Sequence, residues 1–484
     1  YIYYVSSEKT ERGSTEPRAQ LYRMALIGGP AVRLKEDLDS AIAFSPDGKS
    51  YVFVREVAGA NESRLITASL EGGVEKTIAS RTLPDIFDFP TWAPDGKSVA
   101  AVAASYRAED RLVIYAADGS GQKQTPLSLR AWGHIYKIEW ANLGKSILVA
   151  GKDWNGGDFQ LWQVAYPSGE VTRLTKDLNA YFRVSATKDF RELVTVQESA
   201  AQSIWVAIDG DAGKTKELSS LAEHYYGIGW MPDGQIVYDS DASGQSSIWV
   251  MDEDGNSRKQ ITRGENFDRY PVASPDGKFI FYVSCTRLER ECDVWKVDLD
   301  GANPKRITEG SRASGLAITP DGQWLVYAAP TLARYSTLWK LPVSGGAAQQ
   351  INPNLATLPA VSPDGKRIAC FYTKGEGDSQ VEKPVLAILP FAGGPPEKIF
   401  EIPPTVNVLA GLQWVDGGAA IAYVDDGPRN SNLWKQPVNG DPARMLTNFH
   451  GDRFSLFAWS ENGDKVVYRR DVVNRDVVLM EGME

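Results

Sequence analysis

The sequence predicts an all-β fold of repeated four-stranded antiparallel units, and three observations predict it. The tripeptide Pro-Asp-Gly occurs six times, at 46–48, 94–96, 232–234, 275–277, 320–322 and 363–365. Runs that alternate apolar and polar residues follow these turns, as in "KSYVFVR" (49–55) and "KFIFYVS" (278–284), which is the period of a half-buried strand. No 3.6-residue apolar period persists anywhere in the chain.

The turn segments follow in order as "FSPDGK" (44–49), "WAPDGK" (92–97), "WANLGK" (140–145), "SATKDFR" (185–191) and "WMPDGQ" (230–235). The series continues with "ASPDGK" (273–278), "ITPDGQ" (318–323), "VSPDGK" (361–366), "WVDGGA" (414–419) and "WSENGD" (459–464). Proline fixes φ at the first turn position, aspartate can accept from backbone amides two residues on, and glycine takes φ > 0 without steric cost. The period is about 44 residues, which is a repeat architecture. In the fourth of these segments Phe190 stands where the others carry glycine. A bulky residue there costs about 1 kcal/mol if the turn keeps φ > 0, or forces another turn type.

A second signature follows each turn: "LYRMALIGG", "LITASLEGG", "LWQVAYPSG", "IWVAIDGD", "IWVMDEDG", "VWKVDLDG", "LWKLPVSGG" and "LWKQPVNGD". Several copies run on into a short segment ending "RLT", "QIT", "RIT" or "MLT". Each unit thus reads as strand, turn, strand, variable loop, Trp-bearing strand, Gly turn, short strand. Trp162, Trp205, Trp249, Trp295, Trp339 and Trp434 share one position in the third strand, a column suited to core packing between neighbouring sheets. Such units, repeated radially, make a β-propeller.

The opening "YIYYVS" reads as a second strand without its turn, and the end supplies three strands, "FSLFAWS", "KVVYRR" and "DVVLMEG". Counting these gives about eleven repeats, too many for one ring of four to eight blades, so two propellers in tandem are expected. A ring ending in three strands needs a fourth, for which "KTKEL" (214–218) is the candidate. The expected partition is an N-terminal propeller of about five blades at 1–214, its first blade incomplete, and a C-terminal one of about six at 215–484.

The formal net charge of -10 leaves no basic footprint for nucleic acid, which would have to displace counterions from phosphates. No apolar run approaches the length of a spanning helix, "SVAAVAAS" (98–105) being the nearest, so no membrane insertion by this segment is expected. The start lacks a basic n-region and a small-residue cleavage site, and the chain reads as a piece of something longer. Three cysteines make no dense disulfide framework. Cys285 and Cys292 bracket "TRLERE" and either close a hairpin loop covalently or stand as two free thiols beside it. Cys370, in "RIACFY", reads as a small buried apolar residue.

With these residues in view, the chain resembles TolB-like propellers, relatives of WD-repeat proteins, over nearly its whole length. A narrower resemblance is to the C-terminal sensor regions of acidobacterial transmembrane serine/threonine protein kinases. It rests on "LYRMALIGGPAVRLKEDLDSAIAFSPDGK", "LVTVQESAAQSIWVA", "PAVSPDGKRIACFY", "IPPTV" and the tail "LTNFHGDRFSLFAWS...RDVVLMEG". That resemblance implies an extracytoplasmic sensing or scaffolding role behind an upstream membrane helix and kinase domain. No Gly-rich nucleotide loop, His-Arg-Asp loop or Asp-Phe-Gly motif occurs in the chain itself, so no kinase residue carries over.

Chemistry-bearing motifs are sparse. His134, His224 and His450 are isolated, with no paired zinc spacing. No Gly-x-Ser-x-Gly elbow occurs. "DEDGNSRK" (252–259) and "DASGQSS" (241–247) lack the calcium-loop spacing and read as turns. No catalytic residue, metal site or cofactor is therefore expected. The segments leading into the innermost strands carry the recurrent polar and aromatic groups: Tyr181 and Arg183, His224 with Tyr225 and Tyr226, Asp268 with Arg269 and Tyr270, Arg312, and Asp452 with Arg453. Of these, Tyr181, Arg183, His224, Tyr226, Arg269, Arg312 and Arg453 form the candidate rim for a protein partner or small polar ligand, since Arg offers a bidentate fork and Tyr a rigid face. The same residues could instead tie adjacent blades. The hairpins "REVAGANESR" (55–64) and "YTKGEGDSQVEKP" (372–384) are alternative partner surfaces. Two other functions compete with an interaction module: an enzyme with its site in a propeller channel, and a self-assembling structural protein.

Overall fold

The computed structural model describes residues 1–6, 19–73, 75–83, 85–104, 109–120, 125–127, 132–153, 156–177, 179–187, 190–219, 223–286, 291–330, 336–373, 384–427, 430–450 and 453–482. Asp452 and the hairpin tip at 374–383 lie outside the described residues. The described residues form antiparallel sheets, and their only helices are three single 3-10 turns, Ala58–Ala60, Asn142–Gly144 and Asp416–Gly418.

The repeat chemistry appears in the turns as expected. In "FSPDGK" the Ser45 hydroxyl donates to Asp47 at 2.6 Å and the Lys49 amide to the same carboxylate at 3.0 Å. Ser274 with Asp276 and Ser362 with Asp364 repeat the first bond. The glycine has a second role across blades. A Cβ on Gly322 would stand 3.5 Å from Cδ of Pro275, and one on Gly365 3.7 Å from Pro320, so each turn packs on the proline of the turn before it. The threonine of "RLT", "QIT", "RIT" and "MLT" also has a fixed task. Its hydroxyl accepts from the backbone amide just before the repeat tryptophan: Leu161 to Thr175, Ile248 to Thr262, Val294 to Thr308 and Leu433 to Thr447, each at 2.9 Å. The short fourth strand ends there, and the hydroxyl replaces the carbonyl that a longer strand would supply.

The chain divides into two compact units, 1–199 with 474–484, and 200–473. In the second unit five sheets follow in sequence, at 228–260, 267–306, 314–350, 355–400 and 413–445, each of four strands in chain order; they are blades I to V. Blade VI is built from both ends of the unit: Arg453–Trp459, the first part of Lys465–Glu481, the second part of Glu192–Ile208, and Thr215–Glu217. The first strands of the six blades touch their neighbours in order, and Arg453–Trp459 touches Ile228–Trp230. Trp230 donates from its indole to the Ala458 carbonyl at 2.9 Å across that last junction. The ring of the second unit is therefore closed.

The first unit holds a three-stranded sheet, Ile2–Ser6, Ala19–Met24 and Val32–Leu38, followed by four-stranded sheets at 43–82, 86–126 and 132–173. Its last sheet joins Ala180–Ala186, the first part of Glu192–Ile208 and the second part of Lys465–Glu481; there Arg475 pairs with Glu198 at 2.6 Å.

This arrangement differs from the expected one at two points. "LVTVQESAAQSIWVA" lies within one strand, Glu192–Ile208, and "KVVYRR" and "DVVLME" within another, Lys465–Glu481. The eleven repeats accordingly make ten hydrogen-bonded sheets, and the units part inside those two strands, at 199/200 and 473/474, where the sequence reading put a single boundary at 214/215. The physical reason is strand continuity: "QESAAQ" (197–202) holds no Gly, Pro, Asn or Asp to turn on. "KTKEL" does share a sheet with the C-terminal strands, but next to Trp205 and Ala207 of the long strand.

Cores lie between consecutive sheets. Met231, Val237, Ile248 and Ile261 of blade I pack on Ile280, Tyr282 and Val297 of blade II, and Val52, Val54 and Leu65 pack on Phe87, Val99 and Val113 in the first unit. The tryptophan column packs against these cores: Trp162 is buried, while Trp205, Trp249, Trp295, Trp339 and Trp434 are half-buried at their edges. Phe190 keeps the turn conformation of the glycine it replaces, at φ 60°, and is buried among Leu148, Leu161 and Leu193. Cys285 and Cys292 are paired across neighbouring strands of blade II and joined by a disulfide. Cys370 is fully buried, and burial pushes its thiol pKa up.

Candidate ligand-binding rim

The innermost strands share a bulge that the turn pattern did not announce. Aligned on their turns, Phe89, Arg183, Tyr270, Gly315, Leu358 and Gly411 occupy one repeat position, and all have φ between 45° and 90°. The ladder slips a residue at this point in five of them, between Asp88 and Thr91, Phe182 and Val184, Arg269 and Val272, Ser314 and Leu316, and Thr357 and Ala360. A bulge bends the strand and re-aims its side chains. Its sequence signal is the proline after the bulged residue, Pro90, Pro271 and Pro359, since proline inside a strand belongs to edges and bulges.

In the second unit the rim is densest where blade I meets blade II. The fully buried Asp239 accepts from the amides of Tyr226, at 3.1 and 3.2 Å, and of Gly227. Burial pushes its pKa up to about 7, against the opposing charge of Arg269 and those amide bonds. The carboxylate shapes the 224–227 loop, and the Arg269 guanidinium stacks over the Tyr226 ring at 3.9 Å. Beside them His224 turns Nδ1 to Asp241 at 2.7 Å, while its backbone amide donates to the other carboxylate oxygen at 2.9 Å. Burial works to raise the Asp241 pKa, but the hydrogen bonds and charge of His224 outweigh it and hold it below the ordinary value. From blade VI, Arg469 donates to the Tyr225 carbonyl and to Ser455, and pairs with Asp471 at 2.9 Å.

The structure thus brings His224, Tyr226 and Arg269 together. Arg312 and Arg453 occupy the same repeat position as His224, in blades III and VI; Arg453 is exposed. Tyr181 and Arg183 belong to the first unit. The Tyr181 ring is buried, with its hydroxyl donating to Asp177 at 2.6 Å and accepting from Gln197 at 3.0 Å, and burial and then Asp177 raise its pKa. Arg183 is exposed at its bulge. The reading of residues missed Asp239, Asp241 and Arg469. Its signal was the charged residue inside the apolar run "IVYDS" (236–240), because a buried charge must be paired.

The other histidines stand apart: His134 contacts Asp110 at 3.0 Å, and His450 is exposed and bonded to the Asn448 carbonyl. Asp252, in one of the acidic turns, accepts from the Asp254 and Asn256 amides at 3.1 and 2.8 Å. Among the described residues no three His, Cys, Asp or Glu side chains converge on a metal-sized site, and no helix is long and apolar enough to cross a membrane. At this rim Asp239 binds the 226 and 227 amides and Asp241 binds His224, so what the rim offers a ligand is ring faces and donors.

Residues 225–356, which contain this junction, match the family model of the TolB beta propeller domain. Over that stretch the chain is a TolB-like β-propeller domain. This TolB-like chain is 26% identical over 214 residues to a protein of Agrobacterium fabrum described as uncharacterized, covering 42% of this chain and 67% of that one. Among solved structures it is similar to TolB from Acinetobacter baumannii, with 14% identity, 66% of this chain and 82% of that one covered, and a TM-score of 0.42. A putative TolB from Agrobacterium tumefaciens is also similar, with 16% identity, 57% and 99% covered, and a TM-score of 0.30.

Proposed function

We propose that this TolB-like propeller is a non-catalytic interaction module that takes a protein segment or small polar ligand at the rim of its six-bladed unit. The observation that supports this reading is the Tyr226 and Arg269 stack beside His224, held in place from behind by the buried Asp239. A rigid ring, a guanidinium and an imidazole on a preorganised loop favour recognition of a polar or anionic group. The carboxylates there are engaged by amides and by His224, which suits positioning and not general acid catalysis on a substrate. The sequence resemblance to receptor-like kinase sensor regions supports placing the module outside the cytoplasm, as the sensor part of such a receptor.

The test is capture of partners from an extracytoplasmic fraction by the purified chain, followed by affinity measurement with Arg269→Ala and His224→Ala. At least about a tenfold loss, worth 1.4 kcal/mol, is expected in each variant but not in Lys49→Ala. Unchanged affinity in both variants overturns the rim. Turnover of a peptide, glycan or ester that one substitution abolishes overturns the non-catalytic reading.

A further inference from the structure

A second site, lined by none of His224, Tyr226 and Arg269, is built into the blade I and II interface. Aligned on the turns, the position of Asp268 is filled in other repeats by Phe87, Ile135, Tyr181, Tyr225, Ala313, Ala356 and Phe454, all of them buried core residues. The repeat at 43–82 also carries a carboxylate there, Asp39, but that one is exposed, whereas Asp268 is 7% exposed. The fold does not need that charge. The Asp268 backbone already ties the blades together, its amide donating to the Ser246 carbonyl and its carbonyl accepting from the Ser246 hydroxyl, both at 2.9 Å. Among the described residues the carboxylate has no cationic partner, and its Oδ1 meets no donor. A buried carboxylate that two hydroxyls support but no cation faces is costly enough to require an explanation.

Asp268 lines a groove of about 710 Å³ between the two blades, together with Trp295, Tyr282, Ser284 and Thr262. Strand register puts Asp268 opposite Ser284, and Tyr282 opposite Trp295, so the carboxylate and the two rings share one face of the sheet. At the equivalent of Trp295 two other repeats cover the indole with an arginine of their own, Arg173 over Trp162 at 5.3 Å and Arg470 over Trp205 at 5.1 Å. In blade II the matching residue, Arg306, is drawn to Asp293 at 2.5 Å instead, and among the described residues no cation lies over Trp295. Of the three cations that line the groove, Arg258 donates to the Leu218 carbonyl and to Glu223, Lys259 donates to the Leu299 carbonyl, and Arg263 is exposed to solvent.

We infer that this groove binds an organic cation, a primary ammonium or guanidinium on an aliphatic stem. Its charge meets Asp268 and its stem lies along Trp295 and Tyr282. A desolvated cation on an aromatic face gains on the order of 2 kcal/mol, and the carboxylate adds a hydrogen bond from a cationic donor, which it lacks among the described residues. Burial raises the Asp268 pKa while the Ser284 and Thr262 hydroxyls lower it again, so a bound cation also favours its ionised form.

The experiment is calorimetric titration of the whole chain with cadaverine and with the capped peptide acetyl-Gly-Lys-Gly-amide, using acetyl-Gly-norleucine-Gly-amide as the uncharged control. Binding of one or both cations is expected, with at least about a tenfold loss in Asp268→Asn and in Trp295→Leu, and none in Lys49→Ala. Binding of cadaverine alone identifies a free amine as the source, and binding of the peptide alone identifies a protein side chain. No binding of either cation at millimolar concentration, equal binding of the norleucine peptide, or full affinity in Asp268→Asn overturns the inference. Trp295→Leu carries the test by itself if Asp268→Asn does not fold. Because the two cations report on this groove and captured partners report on the rim, failure here and failure of the rim are separately readable.

Discussion

The guanidinium carbon of Arg269 stands 3.9 Å from the centroid of the Tyr226 ring, and the two residues occupy the same repeat position in adjacent blades. The stack therefore joins blade to blade as well as forming the rim. A double-mutant cycle with Tyr226→Leu and Arg269→Met should give a coupling of about 0.5–2 kcal/mol in chemical unfolding. Additive effects would mean that the ring and the guanidinium are neighbours without interaction.

Asp239 predicts a pH dependence. Its folded pKa of about 7 lies above the ordinary 3.8, so the native state holds a proton that the unfolded chain releases. Its contribution to stability is then full below pH 3.8 and lost as pH rises through 7. Urea unfolding of wild type and Asp239→Asn at a series of pH values should show wild type losing stability relative to the variant between those limits. Parallel curves would contradict the assignment.

Two glycines of the second signature separate close approach from backbone strain. Gly301 and Gly345 both have positive φ, +91° and +99°. A Cβ on Gly301 would lie 2.6 Å from the Ile261 carbonyl oxygen of the preceding blade, whereas one on Gly345 meets nothing within 4 Å. Gly345→Ala should cost about 1–2 kcal/mol for its conformation alone. Gly301→Ala should cost a further 1–3 kcal/mol or so because backbone must move. Equal unfolding midpoints for the two would remove the contact from the account.

Phe190 offers the reverse substitution. Phe190→Gly relieves a φ of 60°, worth about 1–2 kcal/mol, but empties a buried site whose occupant is 6% exposed, at about 3–5 kcal/mol. Net destabilisation of about 1–4 kcal/mol is expected in thermal or chemical unfolding. A stabilised variant would show that the ring's burial contributes little.

Much of the blade was legible because its determinants are local. Pro-Asp-Gly closes a turn through contacts among neighbouring residues, and Ser45, Asp47 and Lys49 make them as their spacing requires. The rim was legible in part. His224, Tyr226 and Arg269 stand out as polar groups at inner-strand starts, but their anchor Asp239 lies in the next strand of the sheet. Its carboxylate reaches the 226–227 amides only through the pairing of Ile228–Trp230 with Ile236–Ser240.

The sequence by itself determined the repeat unit and its turns, because both rest on contacts within one blade. Only the tertiary structure decided which strands complete which sheet, since "LVTVQESAAQSIWVA" and "KVVYRRDVVNRDVVLME" (465–481) run on as single strands whose partners lie at the far end of the chain. It likewise decided that Asp268 is buried at a position where seven other repeats bury apolar or aromatic side chains and Asp39 stays exposed. Contacts between blades join residues that the chain separates, and no local pattern encodes them.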